Sequence, residues 1–187
     1  MTSTNPAAAR RNSSPAGVIA RMRGAAFLDV DTYDAVEHDR GATVQAATVV
    51  MIVAVAQAIG SSGAGSQGIF GGLIAAIGGW LMMSGITYLI GDKLLGGTAT
   101  WGELLRTLGF AQAPGVLYVF AIIPFFGVLV RLVIVMWILL ASVIAIRQAL
   151  DFGTGRALIT AFLGWLAIAI PTLLLTIITG GFRILTD

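Results

Sequence analysis

The sequence predicts an all-α protein: a polytopic membrane helix bundle of five transmembrane helices, N-terminus inside and C-terminus outside. Three observations lead there. Hydrophobic residues make up 57% of the chain and charged residues 11%, against about 25% charged in a typical soluble domain. The apolar residues gather into runs of roughly 18 or more, long enough to cross a hydrocarbon core of about 30 Å. In the orientation proposed, the inner parts hold nine basic residues, Arg10, Arg11, Arg21, Arg23, Arg40, Lys93, Arg106, Arg147 and Arg156. The outer parts hold two, Arg131 and Arg183. Basic loops stay on the cytoplasmic side, so this asymmetry sets the topology.

Before the first crossing lies a cytoplasmic segment, residues 1–42. Residues 1–16 are polar and rich in small side chains, and are expected to be disordered because they bury too little apolar surface to offset ordering entropy. No apolar core follows Arg10 and Arg11 closely enough for a cleaved signal peptide. In Gly17–Leu28, apolar residues fall near helical spacing with Arg21 and Arg23 between them. That suits either a short amphipathic helix lying on an anionic membrane face or a helix packed on the protein's own inner surface. Acidic residues follow at 29, 31, 34, 37 and 39, with the sole histidine, His38. Asp34, Glu37 and His38 could share one helix face, where they either hold a hard cation or solvate the start of a helix. The second use is the expectation here, so no metal is assigned.

The transmembrane domain is placed at residues 43–180 and a short outer tail at 181–187. The first crossing, about Thr43–Gly60, is alanine-rich, with Gln45 and Gln57 near its ends. A Gly/Ser linker leads to the second, about Gly68–Ile90. Gly68, Gly72, Ala75 and Gly79 form a small-residue stripe there, the pattern that lets helix backbones approach closely in lipid. It is therefore expected to be a packing or partner face on a central helix. Thr100-Trp-Gly-Glu103 matches a capping box and starts the third crossing. Pro114 lies inside that crossing and Pro124 ends it, and the missing N–H groups predict a kink. A very short turn gives the fourth crossing, to about Ile146, and the fifth runs Ala157–Ile178 with Pro171 inside.

Arg131 is the charge nearest a crossing's interior. It precedes Arg147 by 16 residues, about 24 Å of helix at 1.5 Å per residue. The pair therefore brackets the bilayer as interfacial anchors, or, with Arg156, offers sites for an anion or lipid headgroup. No Asp, Glu, Lys or His falls centrally in any crossing, which removes the relays of proton-coupled transport. One histidine cannot ligate a haem on both sides, and it precedes the first crossing, out of reach of an intramembrane serine. With no cysteine there is no thiolate chemistry. No catalytic residue and no cofactor is assigned.

Gly109, Phe110 and Pro114, in Gly-Phe-Ala-Gln-Ala-Pro, resemble the Gly-Tyr-xxx-Pro stretch of the Yip1 family, with Phe in place of Tyr. Pro124 before a short turn, Trp137 in the fourth helix and the Gly153–Ala157 turn agree with that resemblance. It implies five membrane helices, a cytoplasmic N-terminus and a very short C-terminus. Eukaryotic relatives are associated with vesicle traffic and Rab-type GTPases. The Asp-Leu-Tyr-Gly-Pro motif they carry before the first helix is absent here, so the chain looks more like prokaryotic relatives.

The expectation is thus a non-catalytic, multi-pass protein, most in keeping with a prokaryotic plasma membrane. It would act by binding, scaffolding or assembly, with membrane lipids and other membrane proteins or further copies of itself as partners, and no nucleic acid. The alternative is a small pore or permease for a neutral or anionic solute. Its motivation is the two proline-bearing helices, and a cavity lined by Gln112, Thr172 and Thr176 would favour it.

Overall fold

The computed structural model describes residues 17–61, 68–123 and 125–186, with the backbone alone at 68–69, 175 and 178–186. The expected disordered start falls outside these residues. All regular structure among them is helical: α1 (Val18–Ala26), α2 (Val30–His38), α3 (Ala42–Gly60), α4 (Gly68–Tyr88), α5 (Trp101–Ala111), α6 (Gly127–Ala149) and α7 (Thr154–Thr186). A π-helical turn, Leu89–Leu94, ends α4, and a 3₁₀ segment, Ala113–Ile122, continues α5. Five stretches are long and apolar enough to cross a membrane: Ala42–Gly60, Phe70–Leu94, Trp101–Ile122, Gly127–Ala149 and Thr154–Leu174. They coincide with the five expected runs.

The core lies where the third crossing meets α3. On α3, Ala42, Ala46, Val49, Val50, Val53, Ala56 and Gly60 are buried, a stripe at helical spacing that faces α5 and the 3₁₀ segment. The backbones close up because glycines face that stripe. A Cβ on Gly109 would lie 2.7 Å from the Ala46 Cβ, and one on Gly115 2.5 Å from Val53 Cγ1. Phe110 between them is fully buried. Thr100 and Glu103 form the capping box, Thr100 N donating to Glu103 Oε2 at 2.7 Å and Glu103 N to Thr100 Oγ1 at 3.3 Å. Pro114 has no N–H, and its ring would clash with the carbonyl four residues back. The chain tightens instead, Gly115 N donating to Gln112 O at 2.8 Å, and the helix proceeds as 3₁₀. The expected kink is thus a change of helix type. Pro171, by contrast, lies within α7 without ending it, and α7 runs on to Thr186 through the expected tail.

The second crossing is not the central one. Gly72 and Ala75 are exposed, and a Cβ on Gly72, Gly78 or Gly79 would meet nothing within 4 Å. Gly72, Ala75 and Gly79 of the stripe therefore do not form a close seam inside the chain, whereas Gly60, Gly109 and Gly115 face close neighbours. Gly68 of the expected face lies outside the residues whose surroundings are described.

The segment before the first crossing is more ordered than a loose lead-in. Helices α1 and α2 touch and are joined at Leu28, which adopts a left-handed φ of 62°. α1 packs against α5 and the 3₁₀ segment, and α2 against α5 and α6. Gly17–Leu28 is packed on the bundle, with Ile19 and Phe27 left exposed.

Candidate functional site

Three side chains fasten the α1–α2 hairpin to the bundle, and a fourth, Tyr33, ties its two arms together. Arg106, 6% exposed in the second turn of α5, donates Nε to Val36 O at 3.0 Å and to Glu37 O at 2.9 Å. Its Nη2 also donates to Glu37 O. These are carbonyls of the last turn of α2, which lack helical donors, and a cation there also meets the negative end of the helix dipole. Trp137 donates its indole N–H to Ala26 O, the last residue of α1, at 2.7 Å. Tyr33 is buried between the hairpin's arms and donates its hydroxyl to Ala25 O at 3.1 Å. Arg21 pairs with Asp39 at 2.7 Å and donates to Gln45 at 3.1 Å, tying α1 to the start of α3. Trp137 precedes Arg147 by ten residues, about 15 Å along α6. The hairpin tip therefore reaches well up the bundle's flank.

Outward, the hairpin exposes Arg23, Asp31, Asp34 and His38. Ligand atoms of Asp34, Glu37 and His38 lie within 4.8 Å of one another, so the expected shared face exists. His38 Nδ1 is hydrogen-bonded to Asp34 O at 3.0 Å, which binds the cluster to its own helix. That hydrogen bond, then Glu37, raises the His38 pKa. Arg21, hydrogen-bonded to Asp39, holds that carboxyl below its ordinary value.

Burial pushes Glu37 from 4.5 up to about 7; His38 opposes the shift, and Glu103, Asp151 and Asp34 add to it. A raised carboxyl pKa means that the folded state binds the proton better than the unfolded one. Glu37 therefore favours docking below pH about 4.5, and that contribution is lost as pH rises toward about 7. The raised His38 acts in the same direction. The lowered Asp39 acts in the opposite one, its contribution lost as pH falls. The indole N–H resonance of Trp137, followed across this window, is expected to report looser docking as Glu37 ionises. Glu37→Gln should flatten most of the change, and an unaltered profile in that variant would remove Glu37 as its source.

A second set of polar groups lies among the crossings. A cavity of about 220 Å³ between α3, α4, α5 and α6 is lined by Gln57, Gln112 and Ser142, with Ala75 and Gly79 on the α4 side. The small-residue stripe thus leaves a space where a packed seam is expected. A neighbouring cavity of about 200 Å³ is lined by Gln57, Tyr118 and Arg131. Arg131 Nη2 donates to Gly60 O at 2.9 Å, capping the end of α3, while the residue stays exposed. Arg147 lies at the other end of α6, and Arg156 stacks on Phe152 at 4.7 Å from the ring centre. The three arginines do not form one site. Gln112 lines a cavity as the transport alternative requires, but Thr172 and Thr176 do not join it. Their hydroxyls donate to Ile168 O and Thr172 O, each at 2.8 Å, on their own helix.

Sequence reasoning counts Arg106 among the inner basic residues and misses its clamp, and it misses Arg21, Tyr33 and Trp80 as anchors. Trp80 donates its indole N–H to Leu105 O at 3.0 Å, fixing α4 to α5. The available signal is an arginine between Leu104, Leu105 and Leu108, where a solvated charge has no place. Gly109, Phe110 and Pro114 do come together, as the contact of the third crossing with α3 and the switch to 3₁₀.

A family model described as Yip1 domain matches residues 31–176, most of the chain. No curated protein and no solved structure matches it.

Proposed function

We propose a function from one premise: the chain belongs to the Yip1 family and is a membrane protein built on five apolar helices. In this reading it works without catalysis or cofactor, as an adaptor that binds membrane lipid and other membrane proteins or further copies of itself. Its basic residues are scattered among helix ends, which gives nucleic acid no continuous surface. The stretch before α3 lacks Asp-Leu-Tyr-Gly-Pro, which favours a prokaryotic plasma membrane and leaves a Rab-type partner without its motif.

The supporting observation is the fastened hairpin. Ordering a polar segment beside a membrane costs entropy, and Arg21, Tyr33, Arg106 and Trp137 are all committed to offsetting it. The result is a mixed-charge surface held at a fixed place on the bundle, which suits recognition better than a tether does. Purification in mild detergent, with cross-linking in the native membrane beforehand, is expected to recover oligomers or defined partners. Recovery solely as a monodisperse monomer that captures neither protein nor lipid would end this reading.

A second reading, a pore or permease for a neutral or anionic solute, is favoured by the change from α to 3₁₀ beside Gln112. Long 3₁₀ runs are uncommon, and broken crossings line many transport sites. Solute flux into liposomes carrying the purified chain would support it, and none across a panel of small polyols and anions would count against it.

A further inference from the structure

The two cavities share Gln57, so they adjoin across that side chain. Gln57, Gln112, Ser142 and Tyr118 line them, and none makes a side-chain hydrogen bond among the described residues. Gln57 is exposed and Gln112, Ser142 and Tyr118 are half-buried, so their amides and hydroxyls are open to a polar guest, which satisfies them better than apolar surroundings do. At one end stands Arg131, which uses one hydrogen bond on Gly60 O and has no carboxylate partner among the described residues. A guanidinium offers five N–H donors in a fork that fits phosphate oxygens. No acidic side chain lines either cavity, so a cationic guest has nothing to meet.

We propose that the two cavities form one binding site for a phosphate ester carrying free hydroxyls, whether as a lipid headgroup or as a soluble molecule. The phosphate pairs with Arg131 and Tyr118. The hydroxyl-bearing part passes Gln57 toward Gln112 and Ser142. Small residues keep the inner space open, since a Cβ on Gly79 would meet nothing within 4 Å. This rests on the reading of the chain as a binding protein and gives that reading a ligand class.

The test uses the full chain in detergent micelles, with retained ligand counted by native mass spectrometry. Short-chain phosphatidylglycerol is expected to be retained at one per chain, at least about tenfold more tightly than phosphatidylcholine. Arg131→Gln is expected to lower that affinity about tenfold, the loss of one charge-assisted contact. Gly79→Leu puts bulk into the inner cavity from a position where a Cβ meets nothing within 4 Å, and is expected to lower it as much while the helical circular dichroism stays unchanged. Displacement of the lipid by free glycerol phosphate would assign the site to the soluble ester, and failure to displace it would assign it to the lipid. Equal retention of the two lipids, or wild-type affinity in both variants, would overturn the proposal. Partner capture in mild detergent is read separately, so an empty cavity would not be mistaken for failure of the adaptor reading.

Discussion

Replacing Gly60 with alanine is expected to destabilise the bundle by about 3 kcal/mol, the upper end of what forced overpacking costs. A methyl group there would run into the carbonyl oxygen of Tyr118 and press on the Ala121 side chain. A side chain can swing aside, but a backbone oxygen moves only with its helix. The last turn of α3 would therefore have to part from the 3₁₀ segment. The same movement displaces Gly60 O from Arg131, which now caps it at 2.9 Å. Gly72→Ala is the matched control, because nothing lies within 4 Å of its Cβ position, and it should cost nothing. Unfolding free energies of the two variants in one detergent decide the matter. Similar values would mean that glycine placement in the crossings does not reflect close approach.

That contrast also shows what the sequence could reveal. The five crossings are legible because their signal is one-dimensional: apolar length and the chemistry of the ends determine it. The capping box at Thr100 and Glu103 is legible for the same reason, since both partners lie within one turn. Small residues are different. Gly68, Gly72, Ala75 and Gly79 form the better stripe by spacing, yet Gly60, Gly109 and Gly115 make the close approaches. Spacing says which residues share a face, but which face meets a neighbour depends on the other helices. The Gly109, Phe110 and Pro114 motif is recognisable in the sequence, while its meaning appears once Ala46 and Val53 are seen opposite it.

The hairpin was legible least, and for a physical reason. The apolar faces of α1 and α2 are short, nine residues of helix each, so periodicity leaves a surface helix and a docked one equally open. Docking is settled by hydrogen bonds between residues far apart in sequence, 70 positions for Arg106 to Val36 and 111 for Trp137 to Ala26. Both bonds end on backbone carbonyls, which every residue type supplies. No residue pattern in Val18–His38 could therefore announce them.

Arg106→Leu tests that docking directly, and a large but local loss is expected. Leucine keeps much of the apolar stem and removes every donor. The carbonyls of Val36 and Glu37 then lose their guanidinium partner at a largely buried helix end, at about 1–3 kcal/mol for each group left unsatisfied. A combined loss near 3 kcal/mol corresponds to about a hundredfold faster hydrogen exchange in α2. Amides of α3, α5 and α6 should keep their protection, because their contact through Ala46, Val53, Gly109 and Gly115 does not involve Arg106. Arg106→Lys should fall between the two, since one ammonium cannot span two carbonyls as the planar fork does. Loss of protection throughout the bundle would make Arg106 a general stability residue. Unchanged protection in α2 would mean that Trp137, Tyr33 and Arg21 suffice. Selective release of α2 would establish the hairpin as a separately held unit, which the adaptor reading requires.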